Sequence, residues 1–390
     1  MAFSALMLQL EVQIFRLLMS FGMVLHRIGD PPPLTHSSSA RIRSSTSRRT
    51  KDIKLLFYTP PKYPPKIVSS SPEDIQLESP SKTWPAIINF HGGGFTLGSP
   101  SDDARWATSV VQSLDAVVIS VGYRLAPEHP FPTAVEDGVD ALSWVLENAA
   151  RLRIDKSRIA LSGFSAGGNL AFAILLAWYN QRRESRESPS DSRANSSSPP
   201  LAVDSTRSDQ RYEERQGLLS SPPEVGEAPV ESILPDPPVA AVVSWYPPVD
   251  GSRTRAERRA SNPGGPDKSL PPLLTTMFDA SYLQPMSSGA VDAAHPYLSP
   301  ALATDEDLRQ ALPRDILLYT CEWDQLFVEG EAFRTRLSSL EKKVQGRKVA
   351  RVKHAWDKSP SRFGKDEIRD EVYAEACKKL KKVFEQDESD

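Results

Sequence analysis

The sequence predicts an α/β fold in which helices flank a mostly parallel central sheet. Two observations lead to this prediction. Continuous apolar runs, of the kind that buried parallel strands show, recur at residues 86–90, 116–121, 240–245 and 315–319. A further run, residues 158–162, leads through a Gly-x-Ser-x-Gly turn into an apolar helical segment, residues 170–179. Strand, turn and helix in this order indicate an α/β architecture.

The Gly-x-Ser-x-Gly turn predicts a nucleophile at Ser165. Its strand–turn–helix context is typical of a nucleophile elbow, and Gly163 and Gly167 lack the Cβ atoms that would crowd a tight turn. Ser165 would lie at a helix N-terminus, where N–H groups favour nearby negative charge. By itself the pattern also fits a Ser/Gly-rich turn without chemistry.

Composition bounds the remaining possibilities. The chain has 390 residues, a net charge of −3 and 39% hydrophobic residues, which suits one large α/β domain with extra segments, or two domains. Nothing in this charge balance points to nucleic acid as a partner. Cys321 and Cys377 are too few for a disulfide framework. No Cys/His cluster has zinc spacing, and we predict neither a metal nor a cofactor.

Residues 1–28 are apolar but carry a narrow polar stripe, which predicts an amphipathic helix better than a clean membrane span. The stripe is formed by Gln9, Gln13, Arg16, Ser20 and Arg27. Three interpretations stay open. The helix packs on the protein as part of a lid, lies on or anchors in a membrane surface, or serves as a targeting segment.

The segment His-Gly-Gly-Gly at residues 91–94 directly follows the predicted strand 86–90. Three consecutive glycines cost backbone entropy, so their presence needs a reason. An oxyanion hole provides one, because glycines let backbone N–H groups approach a developing alkoxide closely. The predicted donors are the N–H groups of Gly93, Gly94 and Ala166. We expect His91 and Gly92 to support this loop, with His91 bracing it rather than acting as a base.

Three motifs together carry a family resemblance: HGGGF at 91–95, YRLAPEHPFPTAVEDG at 123–138 and GFSAGGN at 163–169. In this order they resemble the hormone-sensitive-lipase-like branch of the α/β-hydrolases, which includes carboxylesterases and arylacetamide-deacetylase-like enzymes. The resemblance covers roughly residues 84–179 and 239–384. It implies an α/β-hydrolase fold with a helical cap over the active site. Gly122 replaces the Asp that usually precedes the second motif.

The resemblance and the composition together give a domain plan. Residues 181–238 are rich in Ser, Pro, Arg and Glu and predict a disordered insertion. The predicted segments are an N-terminal helix and linker at 1–50, the first part of the core at 51–180, the insertion at 181–238, a core strand at 239–250, a cap at 251–300 and the last part of the core at 301–390.

The acid and the base of a triad are expected after the last strands. A triad acid should leave the C-terminal end of the strand 315–319, which favours Asp324 and leaves Glu322 as the alternative. His354 follows the last expected strand, and the order Ser165, Asp324, His354 is that of the α/β-hydrolases.

Two features near His354 bear on the register of the last strand and leave the choice of base unchanged. Lys353 and Ala355 flank His354 where family members often carry glycine, and the strand before it is more basic than a buried strand should be. His295 is expected to be structural.

These residues predict a serine hydrolase that cleaves carboxylic esters of short- to medium-chain acids. The alternatives are an amide-cleaving deacetylase or lipase of the same family, and a non-catalytic small-molecule receptor on the same fold. The expected partner is a small ester, with a membrane surface as a further candidate through residues 1–28. The oligomeric state stays open. For location, the hypotheses are an intracellular protein held at the endoplasmic reticulum membrane by its first helix, or a cytoplasmic one.

Overall fold

The computed structural model describes residues 2–28, 31–45, 52–64, 82–187, 237–283, 292–358 and 366–386. Contacts within the chain define one compact unit from residues 1–181 and 235–390, and a second unit from residues 182–234. Most of the predicted disordered insertion, residues 188–236, lies outside the described residues, as do residues 284–291 of the predicted cap.

A nine-stranded sheet forms the centre of the larger unit. Its strands are β1 (Ser38–Arg43), β2 (Asp52–Tyr58), β3 (Trp84–Phe90), β4 (Val117–Gly122), β5 (Ile154–Phe164), β6 (Ala241–Trp245), β7 (Asp315–Trp323), β8 (Lys343–Gln345) and β9 (Lys348–Lys353). The order is β1-β2-β4-β3-β5-β6-β7-β8, and β9 also pairs with β7. The β1–β2 and β2–β4 pairs are antiparallel, whereas all the others are parallel.

Nine α-helices occupy the described ranges of the chain. They are α1 (Ala2–Ile28), α2 (Ala104–Leu114), α3 (Thr133–Glu147), α4 (Ala166–Glu187), α5 (Arg255–Ala260), α6 (Pro272–Tyr282), α7 (Asp305–Ala311), α8 (Phe327–Ser339) and α9 (Glu367–Gln386). Helices α2 and α9 pack together over one large apolar cluster, in which Trp106, Val243 and Leu380 are fully buried. The mostly parallel sheet with flanking helices confirms the predicted architecture.

The parallel strands place their carboxyl ends at one edge of the sheet, where α/β proteins bind ligands. The residues that follow β3, β5, β7 and β9 there are His91, Ser165, Asp324 and His354. Every residue of β3 is buried, as its continuous apolar run predicts. The fold therefore brings together four chain segments that are far apart in the sequence.

Two local predictions need correction. The sequence predicts a linker after the first helix, but Ser38–Arg43 pairs with β2 along its whole length. Strand β9 is too basic for a buried strand, and it is in fact largely exposed: Lys348 and Arg351 face solvent while Val349 is buried. An edge strand tolerates such residues because only part of its side-chain set meets the core.

Helix α1 packs against the rest of the larger unit, as one of the three interpretations of its sequence predicts. Val12 is fully buried in a cluster with Leu97 and with Met277 of α6. From the polar stripe, Arg16 forms an ion pair of 2.8 Å with Glu128. Within the described ranges, one helix, Leu6–Arg27, is long and apolar enough to cross a membrane, although core helices and signal sequences pass the same test.

Candidate active site

Ser165 occupies a strained turn between β5 and α4. Its φ of 51° lies in the left-handed region, which a residue with a side chain seldom adopts. A Cβ added at Gly163 would lie 2.0 Å from the carbonyl oxygen of Gly167, and one at Gly167 would lie 1.9 Å from that of Phe90. Both glycines are therefore required by the backbone, which is the steric reason that the sequence suggested.

Three side chains from separate segments meet in a hydrogen-bonded series. His354 Nε2 lies 2.8 Å from Ser165 Oγ, and His354 Nδ1 lies 2.7 Å from Asp324 Oδ2. Since a carboxylate only accepts, the proton of the imidazole belongs on Nδ1, which leaves Nε2 to accept from the serine hydroxyl. The Asp324 and His354 side chains are 1% and 5% exposed, so water competes little for these bonds.

Glu322, the alternative acid, is directed elsewhere. Its carboxylate pairs with Lys348 Nζ at 2.8 Å and accepts the backbone N–H of Arg351. The hydrogen bond from Lys348 lowers the pKa of Glu322. The glutamate thus ties β9 to β7, and Asp324 is the carboxylate that contacts the imidazole.

The glycine loop after β3 lies next to Ser165. Gly93 and Gly94 have φ values of 118° and 59°, and a Cβ at Gly93 would lie 2.2 Å from the carbonyl oxygen of Leu97. Among the described residues, the backbone N–H groups of Gly93, Gly94 and Ala166 find no hydrogen-bond acceptor. Unpaired N–H groups beside a serine are the donors that an oxyanion would need.

His91 lies in the loop as a brace. It is buried, its Nδ1 lies 2.8 Å from the carbonyl oxygen of Gly92, and its ring stacks on Tyr123 at 4.3 Å. The Tyr123 hydroxyl in turn donates to the backbone carbonyl of His91 at 2.8 Å. His295, also expected to be structural, packs edge-on against Phe131 at 5.3 Å and does not line the cavities at Ser165.

Two cavities meet at Ser165 under α1, α5 and α6. One, of about 230 Å³, has a polar wall that includes Arg253, Arg255, Arg258, Asp279 and Gln325. The other, of about 170 Å³, is mostly apolar and is lined by Met19, Met23, Leu97, Phe164 and Leu274, among others. Gly94 and His354 border both cavities. An ester bound at the serine could therefore extend into two spaces of different polarity.

A buried ionic cluster lies behind the imidazole, and the sequence does not predict it. Tyr246 packs edge-on against His354 at 4.9 Å, and the hydroxyls of Tyr246 and Tyr373 donate to the carboxylate of Asp357. Lys358 Nζ lies 3.1 Å from that carboxylate. Burial alone would raise the pKa of Asp357, but the Lys358 charge and the two hydroxyls bring it below its usual value. No local pattern distinguishes these residues in the sequence.

The cluster also reaches the start of α2. Lys358 Nζ forms a second contact, at 2.7 Å, with Asp103, which in turn accepts from the side-chain amide of Asn89 at the end of β3. The ion pairs of Lys358 therefore link the turn after His354 to the start of α2. At Ala355 the backbone has a φ of 55°, which lies in the left-handed region that favours glycine.

Comparison with known proteins agrees with this architecture. A protein-family model that carries the description alpha/beta hydrolase fold matches residues 87–358 of this chain. The chain therefore belongs to that family. The resemblance to the hormone-sensitive-lipase-like branch is likewise confirmed. Hormone-sensitive lipase of Ictidomys tridecemlineatus is 35% identical over 149 residues, which are 37% of this chain and 19% of the lipase.

Two further relatives are named esterases. Esterase LipI of Mycobacterium tuberculosis is 33% identical over 186 residues, which cover 43% of this chain and 58% of LipI. A solved structure of an esterase from Pyrobaculum calidifontis superposes with a TM-score of 0.64 at 25% identity, covering 95% of this chain and 93% of that one. The matches to these curated relatives span less than two thirds of the relatives' own lengths.

Proposed function

We propose that this protein is a serine hydrolase that cleaves carboxylic esters of short- to medium-chain acids. One observation carries the proposal. The hydrogen-bonded series Asp324–His354–Ser165 ends beside the unpaired N–H groups of Gly93, Gly94 and Ala166. A nucleophile with its base, an orienting acid and oxyanion donors is the set that acyl transfer requires. The esterase names of LipI and of the Pyrobaculum protein support the same reaction class.

The first half of the reaction forms an acyl-enzyme. His354 Nε2 takes the hydroxyl proton of Ser165 as Oγ bonds to the ester carbon, because a neutral hydroxyl is a weak nucleophile. The carbonyl electron pair moves to oxygen, and the N–H groups of the glycine loop and of Ala166 stabilise the resulting charge. His354 then gives its proton to the alcohol oxygen as that C–O bond breaks. Asp324 keeps the imidazole in the productive tautomer and stabilises the imidazolium.

The second half releases the acid. A water molecule gives a proton to His354 Nε2 while its oxygen bonds to the acyl carbon. The second tetrahedral intermediate collapses when the bond to Ser165 Oγ breaks and the imidazole returns its proton to that oxygen. The products are one carboxylic acid and one alcohol.

The size of the cavities favours small acyl groups. At about 230 and 170 Å³, each cavity lies below the ~300 Å³ at which sites for drug-sized ligands begin. The apolar cavity suits an aliphatic acyl chain, since its wall of methionine, leucine and phenylalanine offers few hydrogen-bond partners. We therefore expect acetate and butyrate esters to be cleaved faster than decanoate esters.

Hydrolysis of p-nitrophenyl acetate, butyrate and decanoate tests the proposal. The wild type should cleave the short esters, and Ser165→Ala should lose the activity by at least about 10³-fold. Ser338→Ala, which changes a serine on the exposed surface of α8, serves as the control and should keep full activity. Preference for decanoate would favour a lipase. A folded wild type without activity on any ester would contradict the proposal and bring amide substrates or a receptor forward.

A further inference from the structure

Helix α1 presents an unusually apolar surface to solvent. The described residues expose fourteen large apolar side chains, and nine of these lie in α1 between Leu6 and Leu25. Their exposed fractions run from 45% for Leu25 to 74% for Leu17. We call these nine side chains the outward face of α1. A patch this concentrated marks an interaction site more often than chance exposure.

The outward face is continuous along the helix. At 100° per residue its side chains fall within an arc of about 120°, and at 1.5 Å per residue they extend over roughly 28 Å. Between residues 6 and 28 no polar side chain of the sequence falls within that arc. The opposite side of the helix packs on the protein, where Val12 and Met23 are buried against the rest of the unit.

The polar stripe of α1 fixes this orientation. Arg16 pairs with Glu128 and also donates to the carbonyl oxygens of Thr96 and Ala126, at 3.0 and 2.9 Å. Near the end of the helix, Arg27 Nη2 lies 3.6 Å from Asp102. The helix is thus held flat on the protein along one flank while its outward face stays uncovered by the described residues.

Charge indicates what covers the face. Residues 1–54 contain eight Lys and Arg against three Asp and Glu. Arg16 and Arg27 pair with acidic side chains elsewhere in the chain, and the other six still leave a net charge of +3, whereas the whole chain carries −3. Two of these basic residues, Arg41 and Arg43, are exposed on β1. A second copy of the chain would bring two such positive segments together. An anionic lipid layer, by contrast, accepts both the apolar arc and the positive charge.

We propose that the outward face of α1 binds the surface of a membrane that contains anionic phospholipids. The helix lies in the plane of the interface with its apolar side chains below the headgroups. Spanning the bilayer would require the helix to leave its buried contacts at Val12 and Met23 and to abandon the ion pair of Arg16. Met19 and Met23, on the opposite side of the helix, line the apolar cavity that contains Ser165, so the same helix also borders the candidate active site.

Flotation with lipid vesicles tests this proposal on the full chain. The probes are vesicles of equal parts phosphatidylcholine and phosphatidylserine, compared with vesicles of phosphatidylcholine alone. The test variant is Leu17→Ser with Phe21→Ser, which alters the two most exposed side chains of the face. The matched control is Val328→Ser with Ile368→Ser, because these apolar residues are also exposed but lie on α8 and α9.

We expect the wild type and the control to float with the anionic vesicles, and the test variant to partition at least about 30-fold less. Binding should fall in high salt and be weaker on phosphatidylcholine alone. Ser165→Ala should float like the wild type, so a failure of the ester-hydrolase proposal would not affect this result.

Three kinds of outcome would overturn the proposal. In one, the wild type does not float, or the test variant floats equally well. In another, the protein resists extraction at alkaline pH, which indicates a spanning helix. In the third, the wild type is a dimer in solution that the Leu17→Ser, Phe21→Ser variant separates, which shows that a second copy covers the face. Melting curves of all variants establish that each one is folded.

Discussion

Replacing Asp357 with asparagine should destabilise the protein. The carboxylate is 1% exposed, accepts hydrogen bonds from Tyr246 and Tyr373, and lies 3.1 Å from the Lys358 ammonium. Asparagine keeps the shape but removes the charge, and its NH₂ group can only donate. Lys358, whose side chain is 17% exposed, then keeps Asp103 as its carboxylate contact. Because the ammonium keeps one carboxylate partner, the loss is that of the Asp357 contacts alone, about 1–3 kcal/mol.

Urea unfolding of the wild type and Asp357→Asn measures this loss as a change in midpoint at constant slope. The control is Asp305→Asn, which breaks the surface pair with Arg336, whose two side chains are 55% and 32% exposed. That pair should contribute less than about 1 kcal/mol because water screens it. Equal, small losses in both variants would refute the view that the cluster stabilises the turn after His354.

The same carboxylate predicts a pH dependence with a definite sign. Because the folded protein holds the pKa of Asp357 below its usual value, the charged form stabilises the native state at pH values above the unfolded pKa of about 3.9. This contribution is lost as pH falls through the lower folded pKa. The stability difference between the wild type and Asp357→Asn should therefore be constant from about pH 5 to 7 and shrink only below about pH 4.

Three further predictions concern the catalytic series, the elbow and the cysteines. Asp324→Asn should lower kcat for p-nitrophenyl butyrate by about 10⁴-fold with little change in KM, because the imidazole loses its productive tautomer. Gly167→Ala should destabilise the protein by about 3 kcal/mol, since its Cβ would meet backbone atoms, whereas Gly22→Ala, with open space around it, should not. Burial raises the pKa of Cys377 to about 12 and holds that of Cys321 well above its usual value, so a thiol-specific disulfide reagent should modify neither until the protein is unfolded.

Much of the fold and the site follows from local sequence patterns. The apolar runs at β3, β5 and β7 identify buried strands, and residues placed directly after such strands share one edge of the sheet. For this reason the amino-acid sequence alone predicts Ser165 as the nucleophile and favours Asp324 over Glu322 as the acid. The glycines of the elbow and the loop are predicted from the sequence because a tight turn and closely approaching backbone N–H groups favour residues without a Cβ atom.

The remaining features depend on partners that are distant in the sequence. Asp103 and Lys358 form their ion pair only after the sheet has brought α2 and the turn after β9 together. Hydropathy separates the polar stripe of α1 from its apolar faces, but it does not show which face packs. The packed face is determined by contacts with Leu97 and Glu128, which lie outside the helix. For β9, the basic composition reflects a position at the sheet edge that strand propensity alone does not reveal.

The most direct test of the central claim is the site of covalent labelling by a phosphorylating ester such as diethyl p-nitrophenyl phosphate. The reagent should transfer one diethylphosphoryl group to the wild type with release of p-nitrophenolate, and peptide mass spectrometry should locate that group on Ser165. Labelling should be absent in Ser165→Ala and at least about 10³-fold slower in His354→Ala, which lacks the base. A label on any other residue, or equal labelling of Ser165→Ala, would contradict the assignment of Ser165 as the nucleophile.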